Sequence, residues 1–404
     1  MLRRRDLGMT EKLDGVIVCG AGPVGLITAL KLARSGVPVT VLDAAAQIAD
    51  EPRAVVYHAP VVRELDRLGL LEDLRKIGFL KSAYHFWTLD RRLLAVLDMA
   101  ILRPEDTAYP FNLHLGQPML AAIVLDHLLK MPAVSVRWNH RVTAIAQDDQ
   151  SVTVTVETPE GEKILQAPWM VGADGARSGV RKALGLTFEG VTWPEWFVAT
   201  NVNFDFQANG FGQSNVVHDD KHWAIIPKID QSGLWRCTYR EDAGMPEAEV
   251  RARVQERYAL FHPDLAAVTP DQVSPYRVHN RTVDSYRQGR VMLAGDAAHV
   301  VNPIGGLGLT SGILDAIPLG EALAAVIHGE RDDSVLGAWA AERRRVFTDV
   351  VSPAAAENRR RLGESDPVQR EADHARFKSL NDNVDLARQA LLFTYQIVGR
   401  SPLA

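Results

Sequence analysis

Gly20, Gly22 and Gly25 stand at G-x-G-x-x-G spacing in the run Gly20-Ala21-Gly22-Pro23-Val24-Gly25, and Asp43 follows 23 positions after Gly20. Residues of these types at this spacing suit one kind of chemistry. The first glycine permits a tight turn, the second lets backbone N–H groups approach a pyrophosphate, and the third lets a helix pack closely on a strand. A helix that begins in such a loop sets its partial positive charge against phosphate, and the Asp43 carboxylate can accept hydrogen bonds from a ribose. Arg53, in the loop region that follows, can reach the same phosphates, because a guanidinium makes paired bonds to phosphate oxygens.

Two more glycine clusters lie downstream. Gly172-Ala173-Asp174-Gly175 runs into Arg177, Arg181 and Lys182, and Asp174 can cap the helix that starts there. Gly295-Asp296 is followed by Pro303-Ile304-Gly305-Gly306-Leu307-Gly308-Leu309, with three glycines in four positions. Glycines so dense cost backbone entropy and imply something flat and large against the main chain. A helix beginning near Leu309 would stabilise negative charge on it.

The elements that must position these residues follow from the pattern. Val16 to Cys19 is a short apolar run bounded by Asp14-Gly15, which predicts a buried parallel strand. Leu26 to Arg34 is helical, Val37 to Leu42 is a second strand, and Val61 to Ile77 is an amphipathic helix broken at Gly69. Residues 82–102 predict strands bearing Tyr84, Phe86 and Trp87 that visit a second lobe, and Pro118 opens a helix over Met119 to Lys130. Phe197 to Phe206 and Trp223 to Arg240 alternate apolar and polar residues, as an antiparallel sheet with one wet face does. Arg236 and Tyr239 fall on opposite faces there. Trp223, on the strand ending at Pro227, is the candidate wall of a substrate pocket. Ala243 to Leu260 predicts one helix, and the arginines in Glu342 to Arg345 and Arg359 to Arg361 read as solvated helix faces.

At 404 residues the chain should form two lobes, and its 47% hydrophobic and 24% charged content is that of a globular protein. A net charge of −5 without a basic stripe argues against nucleic acid. With two cysteines, neither a disulfide framework nor a metal site is expected. The basic N-terminus lacks an apolar signal region and no apolar run reaches membrane-spanning length, so a cytoplasmic location is expected.

The three glycine motifs, in this order, resemble those of the class A flavin-dependent monooxygenases, the para-hydroxybenzoate hydroxylase and phenol hydroxylase superfamily. The resemblance runs from about Val16 to about Val326. It implies an α/β fold: a Rossmann-like FAD-binding domain (13–82, 106–190 and 281–330), an inserted antiparallel substrate domain (83–105 and 191–280) and a helical C-terminal region (331–404). It implies FAD held by Gly20, Gly22, Pro23, Gly25, Asp43, Arg53, Gln117, Val142, Asp174 and Asp296, with Pro303, Gly306, Gly308 and Leu309 beneath the flavin ring. NADH or NADPH would reduce the flavin, O2 would give a C4a-hydroperoxide, and a phenol-like aromatic or heteroaromatic would be hydroxylated. A homodimer is left open. Departures from the best-known members are Asn215 and Gln213 where the benzoate enzyme clamps a carboxylate, Val55 at a phenol hydroxylase acid, and Leu307 at a lysine. A flavin halogenase is disfavoured, since only Ile226-Pro227 of its W-x-W-x-I-P signature is present. Epoxidation, Baeyer–Villiger oxygen insertion and a non-catalytic FAD sensor stay open as alternatives.

Overall fold

In the computed structural model, which describes residues 10–50 and 54–404, a six-stranded sheet forms the base of the molecule. Its order is Arg287–Gln288, Val291–Leu293, Trp169–Gly172, Val16–Cys19, Val39–Leu42 and Val134–Arg137, parallel apart from the first pair. The four central strands are short and buried on both faces, which is why they read as largely apolar runs. Helices Pro23–Arg34, Gln117–Leu129 and Leu307–Ile327 pack together beside it. A four-stranded sheet, Glu11–Lys12, Gly161–Ala167, Val152–Thr158 and Arg141–Gln147, lies alongside.

The second large sheet has eight strands in the order His299–Val300, Gln272–Thr282, Glu189–Asn203, Leu234–Glu241, Ala224–Pro227, Ser214–His218, Ala83–Thr88 and Leu93–Asp98. Val198, Val202, Trp235, Cys237 and Tyr239 on one face form a core with Val250, Val254 and Tyr258 of two short helices. Those helices are Glu247–Ala252 and Val254–Phe261, so the single helix expected over Ala243 to Leu260 is divided at Arg253. A three-stranded sheet, Val56–Tyr57, Asn112–His114 and Phe79–Lys81, completes the strands, and helices dominate beyond Ser334.

Leu307–Ile327 has 21 residues and is long and apolar enough to cross a membrane, contrary to the sequence expectation. Its most apolar window is 78% buried inside the protein, so here that apolarity serves the core.

Candidate active site

The first glycine loop divides its labour as the spacing implies. Gly20 has φ +112°, and a Cβ there would lie 2.3 Å from the Ala173 carbonyl oxygen. A Cβ on Gly25 would lie 1.9 Å from the Gly20 carbonyl oxygen, so helix and strand touch through backbone alone. Gly22 meets nothing within 4 Å. It is the N-cap of helix Pro23–Arg34, has no side-chain cap, and carries Pro23 just inside the helix. The orphan N–H groups of the first turn thus remain available to an anion, which is the fit a pyrophosphate requires. Asp43 accepts hydrogen bonds from Ala21 N (2.6 Å) and Ala45 N (2.8 Å), tying the second strand to the loop. Gln117 opens helix Gln117–Leu129 half-buried. Arg53 lies outside the described residues.

In the second motif, the Asp174 carboxylate accepts from Ser178 Oγ (2.5 Å), Gly179 N (2.7 Å) and Val180 N (3.1 Å). It is a helix cap with both oxygens engaged. Val142 is buried, and its carbonyl oxygen comes within 3.3 Å of where a Gly179 Cβ would stand. Arg181 explains part of the basic helix start. Its guanidinium is buried, donates to the carbonyls of Ala297 (2.9 Å) and Ala176 (2.7 Å), and so fastens this helix to the third motif.

At the third motif, Asp296 is exposed while Gly295 and Ala297 on either side are buried, so its carboxylate stands clear of the core. The turn is braced from behind. Asp315 is 0% exposed and accepts from Gly295 N (3.0 Å), His299 Nε2 (2.7 Å) and Arg343 Nε (2.7 Å). Arg343 also donates to the carbonyls of Ile397 and Val398, both at 2.9 Å. The reading of this arginine as solvated is therefore corrected: at 1% exposure it is a buried ion-pair partner. Arg359 and Arg360 likewise engage carboxylates, Glu195 and Glu357 with Asp373, instead of facing only water.

The segment carrying Pro303 to Gly308 is pinned by Asn302, which donates to the Ala355 carbonyl (2.8 Å) and accepts from Ile304 N (3.0 Å). Pro303 is exposed, and its carbonyl accepts from Gly306 N (3.0 Å). The long helix starts at Leu307, two residues before Leu309, with Gly306 as an N-cap lacking side-chain caps. This shifts the conformational demand. Gly306 has φ +67°, and a Cβ there would lie 3.1 Å from His58 Cε1, whereas Gly308 is helical with Val301 Cγ1 at 3.4 Å. Gly306→Ala should therefore cost about 1–2 kcal/mol, and Gly308→Ala should be neutral or stabilise by up to about 1 kcal/mol. Urea titration of the two variants checks the contrast, and equal midpoints would refute it.

Thr310 donates to the Gly306 carbonyl (3.0 Å) and lies 2.8 Å from His58 Nδ1, so His58 donates to the hydroxyl. Burial pushes the imidazole pKa of His58 down to about 3, that of His114 to about 3 and that of His218 to about 4. Unfolding returns each to an ordinary value near 6.5, so below that pH the unfolded chain binds more protons. Stability held above about pH 6.5 should fall as pH drops toward these folded values, by about 1.4 kcal/mol per pH unit for each histidine. Thermal midpoints measured from pH 8 to 5 check this; a flat profile would contradict it.

Trp223 is 2% exposed, with its ring 4.9 Å from that of Phe197 and its edge against Gly363. It belongs to a core cluster with Val278, Ile304 and Leu362, so the residue expected as a pocket wall is buried against the loop that carries Ile304. Tyr239 faces the short helices, while Arg236 takes the other face, 8% exposed and donating to Asn201 Oδ1 (2.7 Å). Burial pushes the Arg236 pKa down to about 10. Asn215 is fully buried and committed to Trp87, Gly212 and Ile226, which makes it a structural residue.

Two helix starts without side-chain caps, each entered through glycines, offer the backbone N–H groups that the anionic parts of a dinucleotide need. The chain belongs to the FAD binding domain family, which matches residues 14–354, and it is a flavin-dependent monooxygenase. It is 46% identical over 96% of its length, and 97% of the relative's, to "Para-nitrophenol 4-monooxygenase" of Pseudomonas sp. (strain WBC-3). It is 40% identical over 94% of its length, and 96% of the relative's, to "6-hydroxy-3-succinoylpyridine 3-monooxygenase HspB" of Pseudomonas putida (strain DSM 28022 / S16). The crystal structure of p-nitrophenol 4-monooxygenase PnpA from Pseudomonas putida DLL-E4 superposes with a TM-score of 0.94 at 44% identity, covering 97% of this chain and all of that one. FAD is its cofactor, and aromatic hydroxylation is its reaction class.

Proposed function

We propose that this enzyme oxygenates a para-substituted phenol or hydroxypyridine at the ring carbon para to the hydroxyl. The observation that carries the reading is the pair of near-full-length relatives at 46% and 40% identity. By the numbering in their names, both place the new oxygen on a carbon that already bears a substituent, nitro or succinoyl, opposite a ring hydroxyl. For 4-nitrophenol the atoms balance as follows. The phenol, O2, NAD(P)H and a proton give benzoquinone, nitrous acid, NAD(P)+ and water.

In this reading Gly20, Gly22, Pro23, Gly25 and Arg53 hold the pyrophosphate, Asp43 the adenosine ribose and Asp296 the ribityl chain. Gln117, Val142 and Asp174 complete the cradle, while Pro303, Gly306, Gly308 and Leu309 support the ring. The same reading divides the chain into an FAD-binding domain, a substrate domain over 83–105 and 191–280, and C-terminal helices. When bound, FAD supplies hydride acceptance from NADH or NADPH and activation of O2. The chain's own part is to orient the ring and exclude water. The first turn of Leu307–Ile327 presents N–H groups to negative charge at the ring, and Asp315 keeps the Gly295-Asp296 turn in place. A cytoplasmic location fits the requirement for NAD(P)H.

The test is NAD(P)H oxidation by the FAD-loaded enzyme with 4-nitrophenol, compared with phenol lacking a para substituent. Oxidation accelerated by 4-nitrophenol, with product oxygenated at the para carbon, is expected. Equal response to both phenols, or oxygen placed ortho to the hydroxyl, would overturn the reading.

A further inference from the structure

The three-stranded sheet carries polar side chains to which the proposed FAD cradle assigns no role. His114 is paired with Val56 and with Phe79, and Asn112 with Lys81. Alternation therefore puts Val56, Phe79, Lys81, Asn112 and His114 on one face, with Tyr57, Leu80 and Leu113 against the core. The polar face adjoins the flavin loop: a Cβ on Gly306 would stand 3.7 Å from Val56 Cβ and 3.1 Å from His58 Cε1.

On that face Lys81 is 1% exposed and His114 is 0% exposed. Lys81 Nζ sits 2.7 Å from the centroid of the Tyr84 ring. Neither Lys81 Nζ nor His114 Nε2 has a hydrogen-bond partner among the described residues. His114 Nδ1 lies 2.8 Å from the Lys228 carbonyl oxygen, which can only accept. Nδ1 therefore carries the imidazole proton, and Nε2 presents a lone pair. The titratable groups around Lys81 are His58, Tyr84, His85, Asp98 and His114. Burial drives Lys81 toward the neutral amine, opposed by Asp98. Burial first, and then the Lys81 charge, holds the three histidines below their ordinary value.

A buried amine and an imidazole lone pair on one face of a sheet are two proton acceptors, and the chemistry that complements them is an acidic O–H. We propose that Lys81 Nζ takes the ring-hydroxyl proton of the substrate and holds the resulting phenolate, with His114 Nε2 accepting a hydrogen bond from the ammonium formed. The substrate O–H bond breaks, an N–H bond forms, and the oxygen keeps the electron pair. That pair raises electron density at the para carbon, where the new oxygen is to be placed. Lys81 is on this account a catalytic residue, and the inference rests on the para-substituted phenol reading.

The experiment binds 4-nitrophenol to the oxidised, FAD-loaded enzyme without NAD(P)H and follows the phenol-to-phenolate absorbance change against pH. In the native enzyme the bound phenol should ionise about one pH unit or more below its value in water, as a new neighbouring positive charge dictates. In Lys81→Met and Lys81→Gln, checked for FAD content, the shift should vanish while binding at low pH persists. A native enzyme that binds the phenol unshifted overturns the Lys81 assignment and leaves the substrate reading standing. Absence of any 4-nitrophenol binding overturns both. Because this first arm uses only the native enzyme, it can overturn the assignment even where a variant does not fold.

Discussion

Asp315→Ala is expected to destabilise the protein by about 3–5 kcal/mol and to abolish firm FAD retention. The substitution strands two buried groups, since His299 and Arg343 are 1% exposed each and both donate to this carboxylate. Removing one partner of a buried ion pair leaves an uncompensated charge, which costs more than the pair contributes. Against a typical total of about 5–15 kcal/mol, that loss is large. The Asp315 carboxyl is held below its usual pKa; burial opposes this, and the His299 and Arg343 charges prevail. With Asp296 holding the ribityl chain as proposed, the loss reaches the cofactor, because Gly295 N–H donates to the same carboxylate at 3.0 Å. A double variant, Asp315→Leu with Arg343→Met, should recover much of the stability but not the FAD affinity. Chemical denaturation and FAD titration separate the two effects. An Asp315→Ala protein as stable as the native one would refute the brace.

The second large effect is a contrast within the first glycine loop. Gly22→Ala should leave the FAD-free protein as stable as the native one, because nothing lies within 4 Å of the added Cβ. It should nevertheless weaken FAD binding roughly 10–100-fold, because the methyl enters the space a pyrophosphate needs and displaces charged hydrogen bonds worth about 1.5–3 kcal/mol. Gly25→Ala should lose both properties, since its Cβ would stand 1.9 Å from a backbone oxygen and the strand–helix contact must open. Overpacking of that kind costs about 1–3 kcal/mol. Thermal melts without FAD and titrations with it check each arm. A Gly22→Ala variant with native FAD affinity would place the pyrophosphate elsewhere.

What could be read from the sequence was what local backbone chemistry dictates. The roles of Gly20, Gly22 and Gly25 follow from turn, approach and packing requirements that any chain obeys. The alternation around Trp235, Cys237 and Tyr239 gave the face of the sheet, and Asp174 was legible as a cap. What stayed hidden depends on residues far apart in the chain. Arg343 sits among Glu342, Arg344 and Arg345, and only the fold singles it out as the partner of Asp315. Lys81 and His114 are 33 positions apart and come to one face of a sheet through a strand pairing that neither flanking sequence announces. Trp223 was expected on the strand ending at Pro227 as a pocket wall, but it lies just before that strand and is covered, because alternation says which face a side chain takes and not what covers it. The helix Leu307–Ile327 was apolar for a reason periodicity cannot supply, namely burial all round.

The nitrite released per NAD(P)H oxidised, with the FAD-loaded native enzyme and 4-nitrophenol in air, brings cofactor, reaction class and position of attack to a single number. Oxygenation at the carbon bearing the nitro group predicts a ratio of about one, because each turnover consumes one two-electron reductant and one O2 and expels one nitrite. NAD(P)H oxidation that yields hydrogen peroxide, or a nitrocatechol with no nitrite, would contradict it.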